Sequence, residues 1–278
     1  MPRSEHYAGY WRVKLVLHYE GRNFSGFQIQ RNQRTVQGEL SSLLGELCGE
    51  PSARLTAAGR TDRGVHATGQ VASALIPDRF EPPELLRALN ALAPADLWIE
   101  SAERVHIDFH PRFDATSRTY VYRVGVTPET RSPFMAPWCW PLGLPLDRQR
   151  LEAAAGFTLG ESDFTAFLKA GQPERGTICR VREAAWRDSP WAGGILEFEI
   201  TADRFLHRMV RYLVGVMVDI GRGRRPVAEM EAMLRQAEGL RPAVPAPPQG
   251  LFLTRVEYSK QSSDNGERTS GGANEDFR

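Results

Sequence analysis

With 278 residues, 31.2 kDa, 41% hydrophobic and 25% charged side chains, the chain can bury a core in one large domain or two ordinary ones, which excludes a peptide hormone or a single small module. No apolar run is long enough to span a bilayer, and the opening MPRSEHYAGYW lacks the apolar core and cleavage site of an export signal, so the expectation is a cytoplasmic protein with no membrane contact. The net charge of +1 sets up no overall field, and any polyanionic partner must be sought in the local distribution of charge.

In chain order, residues 1–11 read as a loose lead-in, and residues 11–18 (WRVKLVLH) alternate apolar with polar as a strand does. Thr35 precedes VQGELSSLLGELCG, where Val36, Leu40, Leu43, Leu44 and Leu47 fall at helical spacing and Gly49 supplies a stop. Residues 54–58 and 70–75 read as strands flanking a glycine-rich loop, and residues 82–92 as an amphipathic helix. After about Phe113 the pattern starts again: a strand over 118–126, a helix over 146–156, and strands over 179–186 and 195–201. From Phe205 the set Leu206, Met209, Val210, Leu213, Val214, Met217 and Ile220 keeps a 3.6 period up to Gly221, and Pro226 can open a further helix. A proline-rich stretch leads to a closing strand over 251–258, after which residues 259–278 are too polar to pack and read as a disordered tail. This order predicts an α+β protein of two related lobes, residues 12–113 and 114–258.

Cys48, Cys139 and Cys179 are odd in number and far apart, which suggests neither a disulfide framework nor a CxxC zinc site, so reduced, buried thiols are expected. Only Lys14, Lys169 and Lys260 are lysine, so arginine, the side chain suited to bidentate phosphate contacts, carries the positive charge. Residues 204–225 hold six arginines against one acid, Asp219, and form a candidate anion-binding segment.

The loop AAGRTDRGVHATGQ (57–70) sets three glycines, two arginines, an aspartate and a histidine between two strands, where functional groups usually sit. A bland turn, with Asp62 capping backbone amides and Arg60 and Arg63 solvated, would also account for it. Asp62 and His66 lack a third ligand nearby, which weakens a zinc site, and the chain has neither a GxSxG elbow nor a GxxxxGK phosphate loop.

GRTDRGVHA resembles the signature of the TruA family of tRNA pseudouridine synthases, whose core reads GRTDxGVHA. YEGRNFSGFQIQRNQRTVQGEL (19–40), LNALAP (89–94), FHPRFDATSRTYVYRV (109–124), DFTAF (163–167), FLHRMVRYLVGVMVDIGRG (205–223) and QGLFLTRVEY (249–258) follow in the family's order. The likeness covers about residues 12–258; it departs at Ser162, where many members carry His, and in the tail after Tyr258. It implies a pseudouridine synthase fold of two ferredoxin-like lobes with mainly antiparallel sheets and a cleft between them. It further implies Asp62 as the catalytic carboxylate, Tyr120 stacked on the target uracil, Arg211 paired with the aspartate, Leu251 beneath the base, and Arg60 entering the RNA helix in place of the displaced nucleotide.

Spacing by itself says less about these side chains. Tyr120 and Tyr122 should share one face of a strand, and Arg208 and Arg211, three apart on a helix, should share a face away from Leu213 and Met217. The function implied is isomerisation of uridine to pseudouridine in tRNA, at positions 38 to 40 of the anticodon arm, by a homodimer without metal or cofactor. The alternatives are the same chemistry on another RNA and an RNA-binding module without catalysis.

Overall fold

The computed structural model describes residues 8–49, 55–169, 176–236, 240 and 244–259. Most of the lead-in and all but the first residue of the expected tail therefore lie outside the described residues. The elements run β1 (Tyr10–Tyr19), α1 (Val36–Cys48), β2 (Thr56–Ala57), β3 (His66–Pro77), α2 (Pro82–Leu92), β4 (Leu97–Val105), β5 (Ala115–Gly125) and β6 (Trp140–Pro141). They continue through α3 (Arg148–Gly156), β7 (Gly160–Asp163), β8 (Ile178–Asp188), β9 (Ile195–Ala202), α4 (Met209–Gly221), α5 (Ala228–Leu234) and β10 (Leu251–Tyr258).

Local chemistry accounts for the main elements. Trp11, Val13, Leu15, Leu17 and Tyr19 point to one side of β1 and are buried, as period-2 alternation requires. At the start of α1 the Thr35 hydroxyl oxygen accepts the Gly38 N–H at 3.2 Å, and Gly49, at φ +74°, ends the helix in the left-handed region. Proline occupies the first turn of α2, whose Leu85 and Leu89 are fully buried.

The strands form one open, mostly antiparallel sheet in the order β4-β1-β3-β10-β5-β9-β8-β7, with β2 paired to β3 and β6 to β5. The α+β class and antiparallel character expected from sequence hold, and the two halves meet in a short parallel pair, Phe252 with His66 and Leu253 with Ala67. Two hydrophobic clusters lie along the sheet. One joins Leu15, Leu17, Leu40, Leu44, Leu85 and Leu89; the other joins Tyr122, Phe164, Phe198, Leu213, Met217 and Met230. Tyr120 packs against both.

Three strands escape the sequence reading. β4 places Leu97, Ile99 and Val105 inward but turns the large apolar Trp98 outward, 51% exposed, so its alternation is hidden. β6 and β7 are two and four residues long, too short to show a period. The helix expected from Phe205 begins only at Met209, because Arg208 takes φ +65°, outside the helical region.

One close approach governs the loop before β3. A Cβ on Gly21 would lie 2.1 Å from the Val65 carbonyl oxygen, and both partners are main chain, so neither can swing away. Gly21→Ala is expected to lower unfolding stability by about 3 kcal/mol, near the upper end of the usual overpacking cost. A urea titration giving a loss under about 0.5 kcal/mol would disprove that packing argument.

Candidate active site

Along its far edge β3 changes partner, from β2 at Ser73 and Ala72 to β10 at Ala67 and His66, and the loop 58–65 leaves the sheet beside that exchange. Its main chain is held from several directions. Phe27 N–H donates to the Thr61 carbonyl at 3.0 Å, Gln70 Nε2 to the Gly59 carbonyl at 3.0 Å, and the buried Arg118 guanidinium to the Ala58 carbonyl at 3.0 Å. Tyr19 Oη and Thr61 Oγ1 share a hydrogen bond of 2.8 Å, and burial pushes that phenol up to about 12. Such a loop presents its side chains from a rigid base.

Asp62 projects from this loop toward the start of α4. Arg211 Nη1 donates to Asp62 Oδ2 at 2.8 Å, and its Nε to the Ala246 carbonyl at 2.7 Å, which fixes the buried guanidinium at two points. Arg208 Nε lies 3.4 Å from the same carboxylate oxygen. Oδ1 meets a different group, His207 Nε2, at 3.2 Å. Sequence spacing set Arg208 and Arg211 on one helix face; instead Arg208 precedes the helix in a left-handed turn, and both converge on Asp62. Arg211 is buried rather than solvated because a carboxylate and a carbonyl satisfy it.

These groups open onto a cleft of about 610 Å³, within the ordinary range for a small-molecule or nucleotide site. Asp62 and the arginines 22, 63, 208 and 211 line it, so positive charge exceeds negative at its wall. Arg22 lies 5.3 Å from the Trp138 ring and pairs with Glu20.

The other residues singled out from the sequence take separate places around this centre. Tyr120 is half-buried on β5, edge-on to Phe205 at 5.0 Å, and burial, with a smaller contribution from the Asp62 charge, raises its phenol well above the ordinary value. Tyr122 shares its face but is fully buried, donating its hydroxyl to the Pro247 carbonyl at 2.7 Å. Leu251 is buried opposite Tyr122 in the β10–β5 pair, two residues beyond the cleft residue Gln249. Arg60 is exposed on the Asp62 loop and does not line the cleft.

Sequence reasoning missed His207 as a partner of Asp62 and Arg118 as an anchor of the loop. Both lie within motifs quoted above, FLHRMVRYLVG and FHPRFDATSRTYVYRV, but their contacts span 145 and 60 residues and no spacing rule reaches that far. The three cysteines are free and buried as expected, and burial pushes the Cys139 and Cys179 thiols up to about 11, which leaves them poor nucleophiles.

His66 supports the cleft from behind. Its Nδ1 accepts the Gly21 N–H at 3.1 Å, and its ring stacks on Phe252 at 4.7 Å and leans on Trp138 at 5.2 Å. Burial lowers this imidazole from 6.5 to about 4. Between those values the unfolded chain binds a proton that the folded chain does not, so stability falls as pH drops from about 6.5 to 4. About 3 kcal/mol should be lost if the whole shift is expressed. Urea midpoints across this window should show the loss in the wild type and less of it in His66→Asn; parallel curves would exclude the histidine as the cause.

A family model described as tRNA pseudouridine synthase matches residues 15–114 and 154–259. The tRNA pseudouridine synthase A of Solidesulfovibrio magneticus is 41% identical over 254 residues, which cover 89% of this chain and 91% of that one. Proteins of the same name from Limosilactobacillus fermentum and a Geobacillus species are 36% and 37% identical, covering 91% and 89% of this chain and 98% of each relative.

Proposed function

The chain belongs to the tRNA pseudouridine synthase family, and from that membership we propose that it isomerises uridine to pseudouridine in tRNA, at positions 38 to 40 of the anticodon arm. The observation that carries this reading is Asp62, held by Arg211 at 2.8 Å on the wall of an arginine-lined cleft. The reaction breaks the N1–C1′ bond, turns the base and joins C5 to C1′, with no net oxidation and no energy-rich donor. A carboxylate fixed beside the sugar serves it as nucleophile or as base.

A stacked uridine hides the bond to be broken, so the nucleotide must leave the helix at a cost of a few kcal/mol. In this proposal Arg60 fills the vacated space, its planar guanidinium both stacking and hydrogen bonding. Tyr120 meets the face of the displaced uracil, and Leu251 supplies apolar contact beneath it. Arg63 and, within 204–225, the arginines other than Arg208 and Arg211, which face Asp62, bind phosphates, which makes affinity fall with salt. Among the described residues no helix is long and apolar enough to cross a membrane, and the proposal sets the enzyme in the cytoplasm as a homodimer.

Mapping pseudouridines in tRNA from cells with and without the protein tests the assignment. Loss confined to positions 38 to 40, restored by the gene, is the expected result. Loss at other positions or in another RNA would keep the chemistry and overturn the address. Unchanged maps would overturn both. Sedimentation of the purified protein at micromolar concentration checks the homodimer.

A further inference from the structure

The two oxygens of Asp62 have different surroundings. Oδ2 accepts a hydrogen bond from Arg211 Nη1 at 2.8 Å and lies at ion-pair distance, 3.4 Å, from Arg208 Nε, both of them permanent cations without a lone pair. Oδ1 is met by His207 Nε2 at 3.2 Å, and that side chain is 51% exposed, against 9% for Arg211. One oxygen is clamped, and the other faces a group that can accept a proton and pass it to water.

The reaction requires such a group. Uridine carries hydrogen on C5 and none on N1, whereas pseudouridine carries hydrogen on N1 and none on C5. When C5 bonds to C1′ it holds both hydrogen and sugar, with a C6=N1 double bond beside it. The C5 proton must then leave, its electron pair forming C5=C6, while the C6=N1 pair moves to N1, which takes one proton. No electron leaves the ring, and the net change is one proton carried from C5 to N1. Tyr120 is a poor acceptor, because burial keeps its phenol protonated.

We propose that His207 is the proton relay of this site: Asp62 Oδ1 takes the C5 proton, the His207 ring, in the tautomer with Nδ1 protonated and Nε2 bare, takes it from Oδ1 at Nε2, and releases the Nδ1 proton to water as N1 gains one. The proposal rests on the reading of the chain as a pseudouridine synthase. It assigns the last proton transfer, whichever way Asp62 first opens the glycosidic bond. His207 reaches this position because Arg208, at φ +65°, turns the chain just before α4 and sets both side chains on Asp62.

The test compares His207→Gln, whose amide can still donate to Oδ1 but cannot carry a proton, with His207→Ala. The substrate is tRNA labelled at uridine C5 with tritium or deuterium. In single turnover His207→Gln should release C5 tritium about 100-fold more slowly, within the usual range for general acid–base catalysis. Its C5-deuterium isotope effect should exceed that of the wild type, and its tRNA affinity should stay within about threefold, since phosphate contacts dominate binding. Added imidazole should speed His207→Ala in proportion to its concentration.

Release by His207→Gln at the wild-type rate would overturn the relay. Slow release without a larger isotope effect and without imidazole rescue would also overturn it, leaving His207 a support for Asp62. A wild-type enzyme that releases no C5 tritium from any tRNA would overturn the underlying reading, and the relay with it.

Discussion

Asp62→Asn is expected to abolish pseudouridine formation, by at least about 10⁴-fold in single turnover, as loss of a central catalytic group commonly does. The substitution keeps size and shape, and an amide oxygen can still accept the Arg211 Nη1 hydrogen bond that Oδ2 accepts at 2.8 Å. It removes the negative charge and the electron pair that either role for Asp62 needs. Folding should survive, because Arg211 is also tied to the Ala246 carbonyl and the loop is held through Gly59, Thr61 and Ala58 rather than through the Asp62 side chain. Binding should hold within about tenfold or tighten, since the cleft loses a negative charge while its arginines remain. Rapid-quench assays and filter binding on one preparation separate the two effects. Turnover within about tenfold of wild type would remove Asp62 from the chemistry.

What could be read in advance follows the range over which each interaction acts. β1, α1 and α2 are governed by contacts within about one turn or one pleat, and WRVKLVLH, Thr35 with Gly49, and the proline opening of α2 mark them to within a residue or two. β4 was hidden because an outward Trp98 breaks the alternation. The start of α4 was set too early because the apolar period runs through Leu206 while the backbone leaves the helix at Arg208, a conformation with no side-chain signature in arginine.

The candidate site lies at the far end of this scale. Asp62 and Arg211 are 149 residues apart, and the carboxylate's surroundings exist only once β10 joins the two halves of the sheet. Spacing alone could nominate the loop and the arginine cluster but not connect them; the family resemblance supplied the Asp62–Arg211 pair. The structure adds His207 and Arg208, both brought to Asp62 at the left-handed turn before α4. It also explains why a charge on a strongly apolar helix is tolerated: Arg211 trades water for a carboxylate and a carbonyl.

Arg60→Ala separates base displacement from bond chemistry. Arg60 stands two residues before Asp62 on main chain held at the Gly59 and Thr61 carbonyls, and its own side chain is exposed. A guanidinium on so rigid a base is ready to enter a gap in an RNA helix without first ordering the loop beneath it. Filling that gap offsets part of the few kcal/mol that unpairing and unstacking cost. If Arg60 supplies about 2–3 kcal/mol of that, its loss slows turnover on a base-paired anticodon-stem uridine about 30- to 150-fold. A uridine already mismatched has no pair to break, and there the same variant should lose no more than about fivefold. Single-turnover rates on a stem substrate and its mismatched counterpart, at two salt concentrations, give the answer. An arginine that only touched phosphate would weaken both substrates alike and flatten the salt slope. Equal losses on the two RNAs would therefore sink the wedge role and leave Arg60 as one more phosphate contact.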